Sequence, residues 1–144
     1  MNEALASEIK LIVFQLNDKE YAIPVSHVQS IEKFEHITRV PRTEKFVKGV
    51  INLRGVITPI IDLRSRFGIE EVPYSEATRV IIVGLPGLEV GFIVDSANDV
   101  LDIPKESIEP PPEIIGLEEA QYINGVAKIE KRLLILLDLE KLLK

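Results

Sequence analysis

Two aspartates are the residues of this sequence that come closest to a catalytic pair. Asp62 and Asp138 stand at matching positions of an internal repeat. Two carboxylates related in this way could share one proton, as in a pseudo-symmetric acid–base dyad. Such dyads follow the aspartate with a small residue and a glycine so that the backbone can approach, whereas this chain has Leu63-Arg64 and Leu139-Glu140. Capping of two short helices is therefore the preferred interpretation.

The other residues suited to catalysis are few and poorly spaced. His27 and His36 lie nine positions apart, which is not the spacing of a metal-binding helix or strand. The absence of cysteine excludes disulfides, thiolate metal ligands and a cysteine nucleophile. The glycine-containing segment 84–87 links two predicted strands, where a hairpin turn explains it better than phosphate binding. We therefore expect no catalytic residue, no metal ion and no cofactor.

The charge balance limits the class of partner. The 144 residues include 17 lysines and arginines against 23 aspartates and glutamates, for a formal net charge of −6. Nucleic acids and anionic membranes favour a cationic surface. The basic series is short and has no interleaved aromatic residues; it consists of Arg39, Arg42, Lys45, Lys48 and Arg54. We therefore expect no nucleic-acid binding. We also expect no membrane insertion, because the longest apolar run has five residues and a membrane span needs roughly 18.

An internal repeat organises the chain into two copies. Segment 12–16 aligns with 81–85 at a shift of 69 residues. Segment 46–50 aligns with 122–126 at a shift of 76 residues, so the second copy has a longer connector. Each copy contains short, β-branched segments separated by turns, which is typical of all-β proteins. Two copies of about five strands predict two small barrels joined face to face, because closure removes exposed sheet edges.

Local signals predict hairpins and short helices. Turns at Arg54-Gly55 and Glu130-Lys131 are each flanked by apolar segments, which indicates two hairpins. The two repeated aspartates should cap short helices, one of which ends at Gly68 and the other closes the chain. Ser26 with Gln29 matches a capping box, so we expect a helical turn over 26–31. The counterpart of this turn in the second copy opens with Asp95 and Ser96, which are also good N-cap residues.

Two features point to protein partners. Arg54 is expected at a hairpin tip, where nothing local requires a guanidinium, and its repeat mate is Glu130. Arginine at such a tip is typical of protein interfaces, with an ordinary exposed turn arginine as the alternative. Ile114 and Ile115 follow a proline run in a connector. Either these isoleucines fold back on the barrels or they contact another protein.

The segment from Phe46 to Gly55, continued by Ile61–Gly68, resembles the signature of the CheW family of bacterial chemotaxis coupling proteins. Segments 91–96 and 134–139 match the family as well. The resemblance extends from about Glu8 almost to the C-terminus. It implies one CheW-like domain over residues 8–144, built as two five-stranded, SH3-like barrels with a shared core. We expect approximate barrels over 10–68 and 79–143, with interleaved boundaries as an open alternative.

The resemblance also implies the function. Family members are non-catalytic adaptors that couple transmembrane chemoreceptors to the histidine kinase CheA. They bind the cytoplasmic receptor tip and the kinase regulatory domain, and they are cytoplasmic proteins recruited to membrane-associated receptor arrays. We expect a monomer when the protein is free. The alternatives are a kinase regulatory domain, the adaptor half of a receiver-linked chemotaxis protein, an SH3-like nucleic-acid binder and, from another class, an aspartate-dyad enzyme.

Residues that match the family's partner-binding positions can be named. The receptor-binding candidates are Val28, Ser30, Gly49, Arg54 and Val100. The other candidates do not rest on a match to family positions. The kinase-binding candidates are Ile37 and Val40, an apolar patch expected near one barrel end, and Ile114 and Ile115 are possible array contacts.

Some of these candidates have a second interpretation. Ser30 replaces the glutamate that some family members carry, which argues against a charged receptor contact at this position. Gly49 has a glycine, Gly125, at the matching position of the second copy, which indicates a backbone requirement such as a bulge. Val28 and Val100 could equally be core residues.

Overall fold

The computed structural model describes residues 7–34, 37–41, 44–111 and 120–143. Strands dominate it; they are β1 (Glu8–Leu16), β2 (Lys19–Pro24), β3 (Val28–Lys33), β4 (Val47–Leu53), β5 (Val56–Asp62), β6 (Arg79–Leu85), β7 (Leu88–Val94), β8 (Ser96–Pro104), β9 (Ile108–Glu109), β10 (Ile123–Ile129) and β11 (Arg132–Leu137). The α-helices that lie wholly within the described residues are α1 (Leu63–Arg66) and α2 (Leu139–Leu142), and 3-10 turns occupy Val25–His27 and Lys105–Ser107. The described helices are all too short to cross a membrane.

The chain divides into two compact units. Unit 1 consists of Met1–Ser26 and Asn98–Lys144, and unit 2 of His27–Ala97. Unit 1 contains the sheet β8-β1-β2-β11-β10-β9, and unit 2 contains the sheet β3-β6-β7-β5-β4. Among the described residues, unit 2 therefore has the five strands expected of one barrel, and in unit 1 the two-residue strand β9 adds a sixth. The predicted all-β class and the pair of small barrels are confirmed.

Each unit contains strands from both sequence copies. In unit 1, β2 from the first copy pairs in parallel with β11 from the second, with Tyr21 opposite Ile135. In unit 2, β5 pairs in parallel with β7, with Ile61 opposite Phe92. Each barrel thus combines one hairpin from each copy. Because of these long-range parallel pairs, the compact units do not follow the contiguous order of the two sequence copies.

Each unit has its own apolar core. In unit 1 the buried cluster consists of Leu11, Val13, Ala22, Ile103, Ala127, Leu134 and Leu136. In unit 2 it consists of Ile60, Val80, Ile82 and Ile93. Phe34, Ile37, Ile51 and Leu53 pack against the second cluster while remaining partly exposed. Burial of these side chains supplies the main stabilisation of each barrel.

Both predicted hairpins are confirmed, and the helix caps as well. β4 and β5 meet at Arg54-Gly55, and β10 and β11 meet at Glu130-Lys131. Asp62 and Asp138 cap α1 and α2 through their side chains. Gly68 follows α1 with φ of 74°, as expected for a residue that ends a helix.

The predicted helical turn over 26–31 is wrong in extent, and the helix start at Asp95-Ser96 is wrong. The 3-10 turn ends at His27, after which β3 pairs with β6 and places Ile31 opposite Ile81. The Gln29 side chain lies against Gly84. Ser96 begins strand β8 instead of a helix. In both places strand pairing satisfies the backbone better than an isolated helical turn would.

Candidate functional site

The two repeated aspartates are structural caps. Asp62 is 2% exposed, and its carboxylate accepts hydrogen bonds from the backbone N–H of Arg64 at 2.9 Å and from the Tyr74 hydroxyl at 2.8 Å. Asp138 accepts from the backbone N–H of Lys141 at 3.2 Å. Each carboxylate therefore serves its own helix, which favours the capping interpretation over an acid–base dyad. Among the described residues, no group of three or more histidines, aspartates and glutamates is placed to hold a metal ion.

Tyr74 lies in the segment that joins the two sequence copies, and it contacts other residues of unit 2. Its ring packs against Phe34 with centroids 4.3 Å apart, and its hydroxyl donates to Asp62. Nearby, Arg64 forms two hydrogen bonds to the Asp95 carboxylate, at 3.0 and 2.7 Å. Burial and the bond to Asp62 raise the pKa of Tyr74 well above its usual range. These contacts join different segments of unit 2 to one another, so the role of these side chains is structural.

We expect Tyr74→Phe to lower the free energy of unfolding by about 1 kcal/mol at pH 7, since one hydrogen bond to a carboxylate is lost. Because the folded-state pKa of Tyr74 lies above the unfolded-state value near 10, its contribution is complete below about pH 10. The contribution is lost as the pH rises above that value, so the difference between wild type and variant should narrow. Urea unfolding between pH 7 and 11 measures it. A difference that does not depend on pH would contradict the prediction.

The hairpin tip of unit 2 presents an arginine that the fold does not use. Arg54 is exposed, and it forms no hydrogen bond or ion pair with any residue in the described ranges. Its φ of 53° lies in the left-handed region, which costs roughly 1 kcal/mol for a residue other than glycine. Glu130 occupies the same place in the other hairpin with φ of 57°. The left-handed φ is therefore a property of this turn, and what distinguishes Arg54 is an exposed guanidinium with no partner among the described residues.

Exposed apolar side chains follow this arginine directly, and the sequence analysis did not single them out. Val56 is 49% exposed and Ile57 is 60% exposed at the start of β5. Successive side chains of a strand point to opposite faces, so alternation predicts that one of two consecutive apolar residues faces away from the core. It does not predict that both are exposed, as they are here.

Gly49 is a buried bulge residue. The β4–β5 register shifts between Val47 and Gly49, and φ of Gly49 is 151°. A Cβ atom here would collide with the carbonyl oxygen of Thr38 and lie 2.6 Å from Cγ2 of Ile37. The mate, Gly125, has the same register shift and would place a Cβ 2.8 Å from the Glu109 oxygen. The predicted bulge is confirmed, and receptor contact by Gly49 stays a prediction.

The other receptor-binding candidates lie on edge strands. Val28 and Ser30 are half-buried on β3, at a register shift relative to β6. Val100 lies on β8, the edge strand of the unit 1 sheet, and is 53% exposed. A core role for Val100 is therefore wrong, because an outer position of an edge strand leaves its side chain uncovered.

The two kinase-binding candidates differ in how much of their side chain is exposed. Ile37 is half-buried and packs against the unit 2 core, whereas Val40 is 39% exposed. Thus only Val40 offers substantial apolar surface to a partner. Ile114 and Ile115 lie outside the described residues.

A groove runs between the two edge strands of unit 2. It has a volume of about 450 Å³. Ile31 from β3 and Ile51 and Leu53 from β4 contribute apolar walls, and Glu32 and Lys33 contribute charge. Ser30 and Arg54 are the immediate chain neighbours of this lining. The groove therefore lies between the strands that carry three of the five receptor-binding candidates, which are Val28, Ser30 and Gly49. Arg54 follows β4 in the hairpin turn.

Comparisons with known proteins agree on one family. The family model of the CheW-like domain matches residues 10–144. The chemotaxis protein CheW of Bacillus subtilis is 48% identical over 129 residues, covering 90% of this chain and 83% of that protein. CheW of Klebsiella aerogenes is 42% identical over 134 residues, covering 93% and 81%. The crystal structure of the scaffolding protein TtCheW from Thermoanaerobacter tengcongensis matches with a TM-score of 0.86 at 38% identity, covering 94% and 88%.

Proposed function

The chain belongs to the CheW-like domain family, and we propose that it couples the cytoplasmic tips of chemoreceptors to a histidine kinase of the CheA type. Its role is that of a chemotaxis adaptor, and the expectation of a non-catalytic protein is confirmed by the family. The proposal extends to its location: a cytoplasmic protein, monomeric when free and recruited to membrane-associated receptor arrays. The structural observation that carries the proposal is Arg54 at the tip of the unit 2 hairpin, whose exposed guanidinium has no hydrogen-bond or ion-pair partner in the described ranges.

The physical contribution of such an adaptor is positional. A protein that binds kinase and receptor at once raises the effective concentration of one beside the other. A change of receptor conformation can then bias the kinase equilibrium if the two states differ in their contacts with the adaptor. Neither step needs a catalytic group.

We assign the receptor side to the hairpin tip and edge strands of unit 2. The Arg54 guanidinium presents a planar fork of donors that suits a carboxylate on the receptor. The exposed Val56 and Ile57 beside it add apolar surface that a partner can bury. Ser30 and Val28, on β3, extend this surface toward the groove, and Val100 is the receptor candidate on unit 1.

We assign the kinase side to the segment around Val40. Its exposed side chain follows Ile37, which anchors the segment to the unit 2 core. An apolar residue on an already ordered backbone loses little conformational entropy when another folded domain binds it, which favours binding. Ile37 should therefore support this contact from behind, and Ile114 and Ile115 are retained as array-contact candidates.

Reconstitution tests the coupling proposal. The purified protein is mixed with a receptor-tip fragment and the kinase regulatory domain, and the complexes are separated by size-exclusion chromatography with light scattering. We expect the free protein to elute as a monomer and all three components to co-elute in one complex. Binary complexes that exclude each other, or no complex with either partner, would overturn the proposal.

A further inference from the structure

The hairpin that carries Arg54 is braced by a side chain that the matching hairpin lacks. The Oδ1 atom of Asn52 accepts a hydrogen bond from the backbone N–H of Gly55 at 2.9 Å. In the register of β4 and β5, Leu53 pairs with Val56, so the N–H of Gly55 belongs to the turn and not to the ladder. The asparagine thus closes a small ring around Arg54.

The unit 1 hairpin provides an internal comparison. Its tip has Glu130 with φ of 57°, which is close to the φ of 53° at Arg54. At the position that corresponds to Asn52, however, it has Lys128. A lysine side chain has no acceptor and cannot receive a hydrogen bond from a turn N–H. The same turn geometry is therefore compatible with the absence of the brace.

The brace is poorly suited to a purely structural role. Asn52 and Gly55 are both exposed, and a solvent-exposed hydrogen bond contributes little to global stability. What it restricts is the local backbone at Arg54, which is strained and has no side-chain partner in the described residues. Restriction of an interface residue to its bound conformation raises affinity because less freedom is lost on binding.

We propose that Asn52 is a positioning residue that holds Arg54 in its binding-competent conformation. The inference rests on the proposed receptor contact of Arg54. Without the brace, the tip populates several conformations and the apparent dissociation constant rises in inverse proportion to the competent fraction. We expect Asn52→Ala to weaken binding about 3- to 10-fold.

A double-mutant cycle tests this role against a receptor-tip fragment. The four proteins are wild type, Asn52→Ala, Arg54→Ala and the double variant, and isothermal titration gives the dissociation constants. If Asn52 acts through Arg54, Asn52→Ala weakens binding in the wild-type background and changes it less than about 2-fold in the Arg54→Ala background. An equal loss in both backgrounds means that Asn52 contacts the receptor itself, and it overturns the inference.

Two further measurements separate positioning from folding. Exchange of the Gly55 amide hydrogen should accelerate in Asn52→Ala, while the urea midpoint stays close to that of wild type. Lys128→Ala, the matched change in unit 1, should leave the exchange of the Gly55 amide hydrogen, the urea midpoint and the receptor affinity unchanged. Asn52→Asp keeps the acceptor oxygen and should restore slow exchange and most of the affinity. If Arg54→Ala binds normally, the proposed receptor contact and this inference both fail; if only Asn52→Ala binds normally, this inference fails alone.

Discussion

Gly49→Ala is expected to lower the free energy of unfolding by about 2–4 kcal/mol. The reason is steric, because the new Cβ would collide with the carbonyl oxygen of Thr38 and lie 2.8 Å from its carbonyl carbon. These are backbone atoms, and Thr38 is held by hydrogen bonds of 2.9 and 2.8 Å to Val50. The neighbour therefore cannot yield without breaking the bridge that joins segment 37–41 to β4. The φ of 151° adds backbone strain for any residue with a side chain.

Gly55→Ala is the matched control for this prediction. Gly55 also has a positive φ, of 85°, but a Cβ there would meet nothing within 4 Å. It should cost only about 1 kcal/mol, from backbone strain alone. Denaturant unfolding of the two variants separates strain from collision. Equal stabilities would contradict the steric explanation.

Gly49→Ala also tests whether Gly49 contacts the receptor directly. If the buried Gly49 serves the backbone alone, its replacement weakens receptor binding only through loss of folded protein. Affinity per folded molecule, measured at low temperature, should then equal that of wild type. Weak binding by a fully folded Gly49→Ala protein would restore a direct contact.

The structure explains why some features could be predicted from the sequence and others could not. The hairpins at Arg54-Gly55 and Glu130-Lys131 depend on residues close in sequence, and both were predicted. The helical turn over 26–31 was also a local prediction, but it failed because β3 pairs with β6, about 50 residues away. A capping-box pattern contains no information about a distant strand that competes for the same backbone.

The particular combination of hairpins in each barrel could not be predicted, for the same reason. The repeat shows that two similar segments exist, but it does not state which hairpin completes which barrel. That choice depends on the parallel pairs between β2 and β11 and between β5 and β7. Both pairs join residues far apart in the chain.

The candidate site was predicted where residue type alone is informative. Arg54 could be recognised because neither the turn nor the repeat required a guanidinium. The burial of Gly49 and the packing of Ile37 on the core could not be inferred, since both depend on how segment 37–41 lies along β4. Nor could the sequence show that Asn52 reaches the Gly55 amide.

Arg54→Ala is expected to weaken binding to a receptor-tip fragment by about 1–3 kcal/mol, which corresponds to about 5- to 150-fold in the dissociation constant. The guanidinium has no partner among the described residues, so its removal leaves no buried group unpaired. Alanine at φ of 53° is strained to a similar degree as arginine. The urea midpoint should therefore not change, and the loss of affinity can be assigned to the receptor contact.

Two variants sharpen the interpretation of that result. Glu130→Ala makes the same truncation at the equivalent tip of unit 1, where φ is 57°, and should leave receptor affinity unchanged. Arg54→Lys keeps the positive charge but loses the forked geometry, so its affinity should fall between those of wild type and Arg54→Ala. Full affinity in the lysine variant would mean that charge alone is recognised. Full affinity in Arg54→Ala would remove the receptor contact from the hairpin tip, and the receptor side of the adaptor would then have to lie elsewhere on its surface.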